Sequence, residues 1–82
     1  MERLKHAKKS VGLKQTLEAV RTNQATLVYL AQDADQKVVE EITGLCRQND
    51  IPIEYIETMK QLGKACGIDV GASMACLLKI SD

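Results

Sequence analysis

The stretch TLVYLAQDADQKVVEEITGLCRQNDIPIEYIE, Thr26 to Glu57, decides the fold. Thr26 to Ala31 is a continuous β-favouring run, short enough for a strand buried on both faces. Asp33 or Asp35 can then cap a helix. Val38, Val39, Ile42, Leu45 and Cys46 recur with helical spacing and give that helix, over about 35–49, an apolar stripe. Asn49 and Asp50 turn the chain, and Ile51, Ile53 and Tyr55 alternate as a second strand. Pro52 suits its start. Strand, helix, strand in about thirty residues is the unit of an α/β protein.

Outward from that unit the alternation continues. Upstream, Leu13, Leu17 and Val20 fall at i, i+4 and i+7, which predicts an amphipathic helix ending near Thr22 or Asn23. Val11 stands alone before Gly12 and reads as a very short strand; residues 2–8 read as a short polar helix. Downstream, Thr58 caps a helix whose inner face is Met59, Leu62, Ala65 and Cys66. Met74 to Ile80 is a last buried strand. The order predicts one domain over residues 1–82: a three-layer α/β/α sandwich around a small mixed four-stranded sheet. Few hairpin signals occur, so parallel pairs should be common, with the first or last strand antiparallel.

Composition bounds the chemistry. The chain has 82 residues, 45% hydrophobic, with Tyr29 and Tyr55 as its only aromatics, so Leu, Ile, Val, Ala, Met and Cys build the core. No apolar run is long enough to cross a bilayer, and the charged N-terminus lacks a secretory pattern, so a cytoplasmic protein is expected. Cys46, Cys66 and Cys76 form no C-x-x-C pair and read as reduced, buried small hydrophobes. His6, the only histidine, is remote from them, so no metal site is expected. Net charge is zero but unevenly spread. Residues 1–21 hold six Lys or Arg against two acids; residues 22–58 hold two against seven. Such a division can place a basic face on a neutral protein, or merely reflect solvated helices.

No catalytic constellation is legible. Gly63-Lys64 ends like a phosphate-binding loop, but Thr58 stands where that loop needs Gly and Ala65 where it needs Ser or Thr. No enzyme and no cofactor are expected. Two segments remain unusual. GLKQT, Gly12 to Thr16, opens a helix, where free backbone N–H groups and the dipole suit phosphate. Lys14 and Gln15 project from its first turn; equally, they are ordinary surface helix formers. QLGKACGIDVGAS, Gln61 to Ser73, ends a helix at Gly67 and sets Ile68 and Val70 between glycines. That loop either tucks them inward or offers an apolar tip to unstacked bases or to a partner protein.

Together GLKQTLEAV, LVYLAQDAD, NDIPIEYIETMKQLGKACGIDVGAS and the closing apolar strand resemble the kink-turn-binding ribosomal protein family, the L-seven-Ae and L-thirty-e proteins. LGKACGI is the most specific piece, and the likeness is greatest to the short bacterial, ribosome-associated form. The resemblance implies a non-catalytic protein that binds kink-turns, RNA duplexes bent sharply at an internal loop beside tandem sheared G·A pairs. It implies that Gly12, Leu13, Lys14 and Gln15 approach the G·A pairs. It implies that Ile68, Asp69 and Val70 cover the unpaired nucleotides, that Asp35 and Val39 line the RNA pocket, and that Lys64 lies near phosphates. Many archaeal and eukaryotic members carry Asn-Glu at Lys14-Gln15, Lys at Glu18 and Arg at Val70. The implied partner is structured RNA: ribosomal RNA, a riboswitch or a leader transcript. A monomer without membrane contact is expected. The competing reading is a ribosomal assembly module that uses the apolar loop on a protein.

Overall fold

The structure, a computed structural model, describes residues 8–79. Among these, β1 (Lys9–Val11), α1 (Leu13–Arg21), β2 (Ala25–Ala31), α2 (Gln36–Gln48), β3 (Ile53–Ile56), α3 (Met59–Cys66) and β4 (Met74–Leu78) follow in turn. The helix expected over 2–8 falls outside the described residues except for Lys8, which leads into β1, and Ile80 of the expected last strand also lies outside them.

Local chemistry sets the boundaries. The backbone N–H of Thr22 returns to the Glu18 carbonyl at 3.0 Å, and Asn23 then turns left-handed at φ 61° to end α1. Asp35 caps α2 by accepting from the Lys37 N–H at 2.9 Å. Asp33, the other capping candidate, instead accepts from the Met59 N–H at 2.7 Å and ties the β2–α2 turn to the start of α3. Thr58 caps α3 through the Gln61 N–H at 3.1 Å.

The sheet order is β1-β4-β2-β3. Only β2 and β3 pair in parallel, through the α2 crossover; β4 is antiparallel to both β1 and β2. The expectation that parallel pairs would be common is therefore corrected. The cause lies after α3. Residues 67–73 run back along that helix, with Ile68 N–H on the Gly63 carbonyl at 3.1 Å and Ala72 N–H on the Met59 carbonyl at 3.0 Å. This extra pass reverses the direction in which β4 enters the sheet.

The sheet is buried on both faces. Val28, Leu30, Met74 and Cys76 pack under α1 and α2, against Leu17, Val20, Ile42 and Cys46. Tyr29, Ala31, Ile56 and Ala75 face α3, against Leu62, Cys66 and Ala72. An eight-residue helix is unstable alone, so α3 depends on this packing. Truncating a side chain as buried as Leu62 costs about 2–5 kcal/mol. Two side chains depart from their expected pattern. Tyr55 is on an edge strand and 53% exposed, with Ile56 buried in its place on the opposite face; Met59, expected inside, is 36% exposed.

Candidate nucleic-acid interface

One end of the sheet gathers the last residues of β1, β2 and β3 and the first residue of β4. We call it the upper end. Every segment singled out in the sequence, apart from Lys64, leaves or reaches the sheet here. Gly12 has φ 107°, a conformation that L side chains rarely adopt, and its N–H donates to the Met74 carbonyl at 2.9 Å. A Cβ on Gly12 would meet Gln15 Oε1 at 3.0 Å, so the Gln15 side chain folds back over the helix start. No side chain caps α1, whereas Asp35 and Thr58 cap α2 and α3. The first intrahelical bond is Thr16 N–H to the Gly12 carbonyl at 3.1 Å. The N–H groups of residues 13–15 thus precede the helical ladder and have no carbonyl partner within it. Lys14 and Gln15 are exposed; Leu13 is half-buried on the core and offers its backbone.

The loop of residues 67–73 arrives beside that start. Gly67 takes the left-handed C-terminal conformation at φ 81°. The Val70 carbonyl rests on Gly63 and Gly71 lies against Met59. Ser73 then accepts from the Ala31 N–H at 2.9 Å, one residue before Met74 accepts from Gly12. The loop is therefore fastened to α3, to the end of β2 and to the start of α1. Ala72 is the residue that tucks inward. Val70 is 69% exposed and Ile68 37% exposed, so the inward reading fails for Val70 above all, and the loop does present an apolar tip. Asp69 is exposed between them. Lys64 is exposed on α3 beside Gly63. Asp35 is occupied as a cap, and Val39, one turn into α2, is half-buried against the core.

The sequence matches the Ribosomal protein L7Ae/L30e/S12e/Gadd45 family over residues 1–82. The chain belongs to that family. Among relatives in the family, an RNA-binding protein of Caldanaerobacter subterraneus subsp. tengcongensis is 52% identical over 68 residues, 83% of each chain. RNA-binding protein YbxF of Geobacillus stearothermophilus is 39% identical over 69 residues, 84% of each. The Giardia lamblia 15.5kD RNA binding protein superposes with a TM-score of 0.89 at 27% identity, covering 98% of this chain and 71% of that one.

Several residues in and around this end of the sheet had no sequence signature. Met59 reads as an inward helix residue, yet it forms an exposed apolar neighbour of Gly71. Asp33 reads as a cap and serves as a tie between two segments. Lys9, one of the lysines near Gly12 in sequence, is half-buried on the α3 side, where its charge acts on Cys66. The three cysteines are free and buried. Burial, reinforced by the neighbouring Cys76, raises the Cys46 thiol to about 11. Burial also raises Cys66 and Cys76. Such thiols are poor thiolate ligands at neutral pH, and no group of three metal-ligating side chains occurs among the described residues. No helix among them is long and apolar enough to cross a membrane.

Proposed function

We propose that the protein is a non-catalytic RNA-binding protein that recognises and stabilises kink-turn RNA, as a cytoplasmic, ribosome-associated monomer. Family membership and the names of the relatives support RNA as the partner. The observation that carries the finer reading is the bond from Gly12 N–H to the Met74 carbonyl, which fastens the uncapped helix start to the strand that the Ile68–Val70 loop enters.

Regular A-form RNA hides its base edges in a deep, narrow groove. A kink opens that groove beside the G·A pairs. Lys14 donates to guanine O6 and N7, and Gln15 donates or accepts. The backbone N–H groups at the start of α1, together with Lys64, hold phosphates and fix the register. Ile68 and Val70 cover the apolar faces of the flipped nucleotides. A surface shaped for bent RNA shifts the population toward the kink.

Titration against a kink-turn duplex and a G·A-disrupted control tests this. Lys14→Ala with Gln15→Ala should weaken kink-turn binding by about 1–3 kcal/mol for each base edge no longer read. Unchanged affinity, with the G·A pairs still essential, would remove the groove assignment. Equal binding of both RNAs by the unaltered protein would favour an assembly role through the apolar loop.

A further inference from the structure

The loop that carries Ile68 and Val70 is bonded along the whole length of α3. Toward the helix C-terminus the Ile68 N–H meets the Gly63 carbonyl at 3.1 Å, and at the helix start the Ala72 N–H meets the Met59 carbonyl at 3.0 Å. Gly71 lies so close to that start that an added Cβ would stand 3.3 Å from the Met59 Cβ. The tip therefore moves with α3, and the sheet takes hold of the chain again at Ser73, which accepts from the Ala31 N–H at 2.9 Å.

The start of α3 is held by a side chain from another part of the chain. Asp33, in the turn after β2, accepts from the Met59 N–H at 2.7 Å, across 26 residues of sequence. Met59 is the first residue of the helix, and the Thr58 hydroxyl serves Gln61 instead. A first-turn N–H has no partner within its own helix, and a carboxylate is favoured at the positive end of the helix dipole. Met59 thus joins two bonds in series, its N–H on Asp33 and its carbonyl on Ala72, between the end of β2 and the loop. The Asp33 side chain is exposed, so it fills no space in the core.

We infer that Asp33 is a positioning residue for RNA: its carboxylate, through Met59, holds the Ile68–Val70 tip at the distance from the start of α1 that lets the tip cover flipped nucleotides while Lys14 and Gln15 read the G·A pairs. The inference rests on the kink-turn reading and deepens it. The two halves of that surface are anchored by separate routes. The start of α1 is bonded to β4 through the Gly12 N–H and the Met74 carbonyl, with no link through α3. The tip is tied to the end of β2 through Met59 and Asp33. Loss of the Asp33 carboxylate loosens the second route and spares the first, so it lowers the reading of flipped bases and leaves the reading of the G·A pairs in place.

The test titrates the unaltered protein, Asp33→Ala and Asp33→Asn against three RNAs: a kink-turn, the same kink-turn with its unpaired loop nucleotides made abasic, and a G·A-disrupted control. The readout is the ratio of affinities for the intact and the abasic kink-turn, which isolates the contact with the flipped bases. Asp33→Ala should lower that ratio by about two- to tenfold, the range that loss of one hydrogen bond gives, with affinity for the abasic RNA unchanged. Asp33→Asn keeps an acceptor oxygen for the Met59 N–H and should restore the ratio. A merely structural role would lower affinity for both RNAs by one factor, because the unfolded fraction binds neither, and the ratio would not move. Amide exchange at Met59 should quicken in Asp33→Ala and hold in Asp33→Asn. An unchanged ratio in Asp33→Ala, while the G·A pairs remain essential, overturns the role of Asp33 alone. Absence of a G·A requirement in the unaltered protein overturns the kink-turn reading and this inference with it.

Discussion

Thr16 shows how a single side chain can be misplaced chemically yet well placed sterically. Its hydroxyl is fully buried in the first turns of α1 and has no hydrogen-bond partner among the described residues. The polar group beside it is the Cys76 thiol, whose pKa Thr16 pulls down against the larger effect of burial. An unpartnered buried hydroxyl costs about 1–3 kcal/mol. Thr16→Val keeps the branched shape, and its helix propensity is similar. We expect a gain of about 1 kcal/mol in urea-induced unfolding. A decrease of that size would mean that the thiol and hydroxyl bond well enough to offset their desolvation. At Gly12 the constraint is conformational: its positive φ requires glycine, and the turn it makes aims the start of α1 at the loop. The sequence marked Gly12 as a helix start; it did not mark Thr16 as an orphan.

The helices carry a second contrast that no periodicity reveals. Gly44 and Gly63 both lie inside helices. A Cβ on Gly44 meets nothing within 4 Å, so Gly44→Ala should stabilise the protein by about 1 kcal/mol through helix propensity alone. A Cβ on Gly63 would run into the Val70 carbonyl oxygen, and backbone cannot step aside as a flexible side chain can. Gly63→Ala should cost about 1–3 kcal/mol, more than propensity returns. It should also displace the loop and weaken RNA binding. Thermal melts of the two variants should therefore move in opposite directions. Equal shifts would show that the loop is not held against α3. In the same way, β4 was legible as an apolar run, but its direction depends on a backbone pass along α3 that has no apolar period of its own.

For the molecule as a whole, the buried thiols predict an alkaline limit. Cys46 keeps its proton to about pH 11 when folded, whereas an unfolded thiol releases it near 9.0. Between those values the folded state binds more protons than the unfolded state. Stability therefore falls as pH rises through that window, by up to about 1.4 kcal/mol per pH unit from this group. Below pH 9 the term is flat. Denaturation at pH 8, 9 and 10 should show the decline begin above 9, and Cys46→Ala should reduce its slope. An identical slope in that variant would assign the decline to other groups.

By itself the sequence determined the three helices and four strands of the described residues, the two-sided burial of β2 and the family. These follow from apolar spacing, capping residues and short motifs, which act within a few residues along the chain. It also marked Lys14, Gln15, Ile68 and Val70 as unusual. The tertiary structure alone decided that β4 inserts antiparallel between β1 and β2, that Gly63 is needed and Gly44 is not, that Asp33 ties two turns, and that Val70 faces outward. Those outcomes depend on which backbones touch across dozens of residues, and touching of that kind leaves no period in the sequence.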